Sequence, residues 1–261
     1  MSGMAGRKRI KKQFNLRAID FIILYTVLIL FLATLVLSTF GFGESLIAVP
    51  LLALYLPIEV AVPVSVLASV VVAGVVVVQD WSKIHVRSAG WLVFFAALGI
   101  PLGLWLLITA DERWVKAALA IVLILFSAYS LAGRPFSLSS DSKWGLFVCG
   151  LLSGVLGGAY GLNGPPLVVY GAMRKWSAQH FRATLQGYFL PASLMGIIGY
   201  WLNGLWIMQV TTLFLWSLPA ILLAIFLGRA INRRMEGTAF FRYVYIGLIG
   251  IAVILLLQSF H

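Results

Sequence analysis

Long apolar runs separated by brief polar breaks fill the chain. Eight runs read as membrane spans, at residues 18–40, 58–79, 90–109, 115–131, 144–161, 183–202, 210–227 and 240–260. A helix needs about 20 apolar residues to cross about 30 Å of hydrocarbon. Two further runs, at 46–56 and 167–173, are too short to cross as straight helices. They read as half-helices that enter and turn back, or as the second limb of a broken helix. Each follows a glycine-bearing interruption: Gly41-Phe42-Gly43-Glu44-Ser45 before the first, Gly161-Leu162-Asn163-Gly164-Pro165-Pro166 before the second. Lipid cannot hydrogen-bond exposed backbone, so a helix broken at membrane depth has to be enclosed by protein or line a watery cavity. Paired breaks in two halves of an apolar chain point to a transporter's binding site.

The polar breaks divide the chain. Residues 1–17 form a basic tail, placed in the cytoplasm. Residues 18–132 form a first transmembrane half, 133–143 a Pro-, Gly- and Ser-bearing linker, and 144–261 a second half. The stretch from Ile58 to Ser65 lies as far past the first break as Gln179 to Gln186 lies past the second. The expected fold is therefore an all-α polytopic membrane bundle. Its two related halves are expected to be inverted repeats, each with a broken or re-entrant helix. The run at 18–40 is too long for a signal-peptide core and is expected to remain as the first span.

Composition agrees. The chain is 62% hydrophobic and 10% charged, with mean hydropathy +1.02, which leaves too little polar surface for a soluble domain. The net charge of +11 does not indicate nucleic acid, because the basic residues sit at run ends rather than in a patch with aromatics. Lys83 and Arg87, Arg174 and Lys175, and Arg233 and Arg234 follow the bias that keeps basic loops in the cytoplasm. Placing the tail and all these loops on one side conflicts with strict inversion of the halves. Cys149 is the only cysteine, and His85, His180 and His261 lie in loops or at the end, so no metal site or cofactor is expected. No Walker loop is present, which argues against direct use of ATP.

With both breaks located, the chain resembles the sulfite exporter TauE/SafE family of bacterial membrane transporters. The resemblance rests on the glycine-rich run from Gly154 to Pro166 followed by Phe181-Arg182-Ala183-Thr184, and on Gly41 through Leu52 with Val60-Ala61 and Ser65. It covers about 21–260. One departure is Glu44-Ser45, where the family usually carries further glycines. The resemblance implies a carrier of small organosulfur anions such as sulfite or sulfonates, commonly outward, in the bacterial cytoplasmic membrane.

Candidate site residues follow from the breaks. Backbone amides at a helix start carry positive partial charge and suit an anion. Gly41, Gly43, Ser45, Asn163 and Gly164 are the candidates, with Pro165 fixing the second helix start. The same glycines and prolines would also serve close helix packing. Glu44 reads either as a proton carrier at depth or as a cap for the short helix. Arg182 would neutralise an anion or snorkel to the interface. Ser65, Thr184 and Gln186 would donate to substrate or to a neighbouring helix. Gln79, Lys83 and Arg87 read as a vestibule or as a solvated loop. The partners expected are a small anionic substrate, the lipid bilayer and protons as coupling ion, with no nucleic acid and a homodimer as candidate assembly. A passive anion channel is the alternative. A membrane-embedded enzyme is disfavoured because the chain lacks clustered acids, histidines or a nucleophile with a base at depth.

Overall fold

The computed structural model of the chain describes residues 2–80, 86–133, 143–173, 178–232 and 239–260. These form ten helices and, among the described residues, no strand: α1 Ser2–Phe40, α2 Glu44–Leu52, α3 Ile58–Asp80, α4 Val86–Thr109, α5 Glu112–Ala132, α6 Lys143–Tyr160, α7 Gly164–Met173, α8 Ala178–Leu202, α9 Met208–Asn232 and α10 Ala239–Ser259. Among the described residues five helices are long and apolar enough to cross a membrane, and three shorter apolar helices, Trp144–Tyr160, Gly187–Leu202 and Tyr245–Ser259, accompany them. Many large apolar side chains point outward, Leu24, Trp105, Leu125 and Phe226 among them, as a lipid-facing surface requires.

The expected short helices are present, but both begin earlier than the hydrophobic pattern indicates. Helix α2 starts at Glu44 and ends at Leu52, and α7 starts at Gly164. Hydrophobicity alone places Glu44 and Ser45 in the interruption, whereas hydrogen bonding places them in the first helical turn. Pro165 and Pro166 occupy the opening turn of α7, where a missing N–H removes no intrahelical bond.

Helix directions follow from side-chain contacts. The Tyr25 hydroxyl donates to the Leu51 carbonyl at 2.7 Å, and Tyr25 and Phe21 both touch the Tyr55 ring, so α2 folds back along α1. The start of α3 meets the start of α5, where the Ile58 N–H donates to Glu112 Oε1 at 3.2 Å. Helices α5 and α10 are antiparallel, because Trp114 meets Phe260 and Phe126 meets Tyr245. Helices α4 and α6 run parallel, with Phe95 against Phe147 near their starts and Gly103 against Ala159 near their ends. The pairing of elements is symmetric. Helix α1 packs along α9 as α6 packs along α4, while α3 meets α8 and α5 meets α10. Exchanging the halves turns the α1–α9 pair into the α6–α4 pair and maps α3–α8 and α5–α10 onto themselves.

The α4–α6 contact is made by small residues. Gly99 and Gly103 on α4 face Gly150, Gly154 and Gly158 on α6, each set spaced by four and so on one helix face. A Cβ at Gly154 would run into the Ala96 carbonyl, and one at Gly103 into the Val155 carbonyl. Hydrophobic burial offers little between helices in lipid, so close backbone approach and dispersion hold such a pair together. Gly247 and Gly250 on α10 have nothing within 4 Å of an added Cβ. Gly154→Val is expected to destabilise the protein by about 1–3 kcal/mol or more, while Gly250→Ala stays near neutral. Thermal unfolding followed by size-exclusion profile in detergent checks both, and equal profiles would contradict the packing account.

Candidate functional site

Both breaks are built the same way. Just past the end of α1, Gly41 takes φ 88°, and its N–H closes onto the Leu37 carbonyl at 2.6 Å. Just past the end of α6, Gly161 takes φ 67°, and its N–H closes onto the Gly157 carbonyl at 2.8 Å. This left-handed stop favours glycine, because a side chain there meets the following carbonyl. The next helix begins three residues later in each case, at Glu44 and at Gly164. Gly41, named from sequence as a site residue, therefore acts through the backbone bend, and Gly161 plays the same part in the second half.

Tyrosines fix the second break in place. Tyr160 donates to the Val115 carbonyl at 3.0 Å and ties the end of α6 to the start of α5. Tyr200 donates to the carbonyls of Gly157 and Gly158 at 3.2 and 3.0 Å, in the last turn before the second break. Ser153 Oγ donates to the Asn163 carbonyl at 2.6 Å and lies 2.9 Å from the Tyr188 hydroxyl. The bonds from Tyr200 and Ser153 bring added donors to carbonyls at and beside the second break, while Tyr160 anchors it to α5.

The two breaks touch. A Cβ on Gly161 would lie 2.7 Å from Val66 Cγ2 and 3.3 Å from Ser45 Oγ, and one on Gly164 would lie 4.0 Å from Phe42. Between them is a cavity of about 30 Å³, room for one or two water-sized groups. Its lining draws Gly43, Glu44, Ser45 and Leu46 from the first break, and residues 161–164 from the second. The first turns of α2 and α7 thus both face it, bringing the positive ends of two helix dipoles to one small space. Leu37 of α1, Ser69 of α3, and Phe189 and Ser193 of α8 complete the wall.

Three side chains define its polarity. Glu44 is 2% exposed; its Oε2 accepts a 2.7 Å hydrogen bond from Ser69 Oγ, and its Oε1 has no partner among the described residues. Glu44 is therefore buried at the first break, and its carboxylate bonds across to α3; the N-cap of α2 is Gly43, with no side-chain cap. Ser45 Oγ pairs with Ser65 Oγ at 3.3 Å. Asn163 is 6% exposed, and its Oδ1 is unpartnered and lies against Gly157. Its N–H is engaged with the Gly161 carbonyl at 3.1 Å.

The residues named from sequence divide accordingly. Gly43, Glu44, Ser45, Asn163 and Gly164 line the cavity, and Ser65 reaches it through Ser45. Gly41 and Pro165 shape the helix ends without lining it. Thr184 is fully buried with its Oγ1 unpartnered, away from the lining. The side chains of Arg182 and Gln186, and those of Gln79, Lys83 and Arg87, lie outside the described residues. Sequence reading missed Ser69, Ser153, Tyr188 and Ser193. Ser69 had a signal, since it lies one turn beyond Ser65 on the same face of α3. No group of three metal-binding side chains occurs among the described residues.

Among the described residues, ten helices with an apolar outer face and two broken elements around a small cavity define a polytopic membrane protein. The chain belongs to the sulfite exporter TauE/SafE family, whose profile matches residues 26–256. No curated protein and no solved structure matches the chain. The family is one of membrane transporters, and its match spans both breaks.

Ser153→Ala with Tyr188→Phe strips the buried Asn163 carbonyl of its donor. A loss of about 1–3 kcal/mol in stability is expected, read as a lower midpoint of thermal unfolding in detergent. An unchanged midpoint would show that this carbonyl is satisfied otherwise.

Proposed function

We propose that the chain is a secondary transporter, working as an exporter, of small sulfur-containing anions such as sulfite or organosulfonates in the bacterial cytoplasmic membrane. The observation that carries this reading is the meeting of two helix starts on one small polar cavity, in a chain of the sulfite exporter TauE/SafE family. First-turn amides, Ser45 and Asn163 supply donors and dipoles suited to the oxygens of a trigonal or tetrahedral oxyanion. Arg182 enters this reading as the guanidinium that draws the anion toward the site. Ser65 and Ser69 stand near the middle of α3, which supports a site near the midplane. In this conformation the cavity is smaller than a sulfite ion, so the reading requires it to widen as the anion, stripped of its water, enters.

We read the two halves as inverted repeats that rock against each other around this cavity. The exchange symmetry of the helix pairs and the parallel run of α4 with α6 support that plan. The helix ends adjoining residues 81–85, 134–142 and 233–238 share one end of the bundle, and the basic residues there mark it as cytoplasmic. Helix α1 starts at the opposite end, so the basic tail runs against that assignment. In a Cys149→Ser background, Ser140→Cys is expected to label only from the cytoplasmic side. Labelling of Ser140→Cys from outside the cell would reverse the orientation.

The transport reading is tested by counterflow of radiolabelled sulfite in proteoliposomes. Saturable exchange is expected, reduced about tenfold or more by Asn163→Ala and by Arg182→Ala, in line with the loss of a hydrogen bond to a charged group. Absence of exchange for sulfite and for sulfonates would end the organosulfur reading. A flux that neither saturates nor shows counterflow would identify a channel instead.

A further inference from the structure

The cavity between the breaks holds one carboxyl group and, among the described residues that line it, no positive charge. Glu44 uses one oxygen to accept from Ser69 and keeps the other unpartnered, while 2% exposed. Ser69 of α3 is its hydrogen-bond partner, and the cavity wall around it is completed by Leu37 of α1, Ser45 of α2, Asn163 of the second break, and Phe189 and Ser193 of α8; α5 and α10, which also pack on α2, place no residue in that wall. None of these titrates. The nearest basic position on α8 is Arg182, seven residues before Phe189 and so about 10 Å along the helix axis.

An anion in so small a space sits within contact distance of that carboxyl. Two unit charges 4 Å apart at an effective dielectric of about 20 repel strongly enough to cost about a thousandfold in affinity. A protonated carboxyl removes the repulsion and offers an O–H to an oxygen of the guest. We propose that Glu44 takes up a proton when the anion binds, and that anion and proton cross together, making the chain an anion–proton symporter. This rests on the anion reading above. The proton comes from water on the side where the cavity opens and returns to water on the other side when the anion leaves. A monovalent anion then moves without net charge, and a divalent one carries a single negative charge across.

Sulfoacetate and thiosulfate serve as probes, because both stay fully ionised from about pH 6 to about pH 8.5 and contribute no proton change of their own. Asp111 lies outside the membrane-spanning segments. Its hydrogen bonds with Arg113 hold its carboxyl below the ordinary carboxylate range, so it stays charged throughout this window. Isothermal titration of purified protein in two buffers of different ionisation heat reads affinity and proton uptake together. The wild type is expected to take up one proton per anion, with affinity falling about tenfold per unit rise in pH where the empty-site carboxyl is ionised. Glu44→Gln keeps the shape and a permanently neutral group, so it is expected to bind with no proton uptake and a flat pH profile. Ser69→Ala is expected to retain uptake over a displaced pH range. Binding by the wild type without proton uptake, or a slope that survives in Glu44→Gln, overturns the coupling while leaving the carrier reading in place. Failure of the wild type to bind either anion overturns the anion reading, and this proposal with it.

Discussion

A helix interrupted inside a membrane exposes amide and carbonyl groups that lipid cannot satisfy, and this demand organises the molecule. Each break closes its own last carbonyls through a left-handed glycine, Gly41 or Gly161. At the second break further donors reach in: Ser153 of α6 on the Asn163 carbonyl, and Tyr200 of α8 on the carbonyls of Gly157 and Gly158. The starts of α2 and α7 line the same small cavity. The breaks therefore shelter one another, and the cavity is the consequence of that arrangement.

Bringing two breaks together requires the surrounding helices to approach closely. Glycines on α4 and α6 allow this, since backbone packs on backbone along the whole parallel contact. Gly228 does the same for α9 against Leu35, Ser38 and Thr39 of α1, the symmetric counterpart of that pair. Helices without such a role tolerate space, as at Gly247 and Gly250. Small residues thus mark the helix pairs that exchange between halves, while bulky apolar side chains face outward.

Electrostatics within the cavity pull in opposite directions. Two helix starts favour negative charge, and Glu44 already supplies one. A further anion and an ionised Glu44 compete for the same donors, which is why the protonation of this residue bears on transport. Glu44 gives the first break a charge that the second lacks, while a left-handed glycine three residues before the next helix is common to both.

Hydrophobic periodicity was sufficient to establish the membrane class, the run lengths and the two interruptions, because lipid imposes its length and polarity limits on local sequence. The glycine pattern likewise marked where α1 and α6 end, since a left-handed stop is a local property of the backbone. Hydropathy placed the starts of α2 and α7 two or three residues late, because Glu44, Ser45 and Gly164 are not apolar and yet join the helix by hydrogen bonding. Glu44 could be singled out from sequence as an unusual acid, but not assigned a neighbour. Its partner Ser69 lies 25 residues away, and the contact exists only because α3 returns beside the first break. The meeting of Ser45 with Gly161, and of Phe42 with Gly164, joins residues about 120 positions apart. Sequence determined that the helices must break and where; tertiary packing decided that both breaks face one cavity, since exposed backbone in lipid has to find its shelter in another part of the chain.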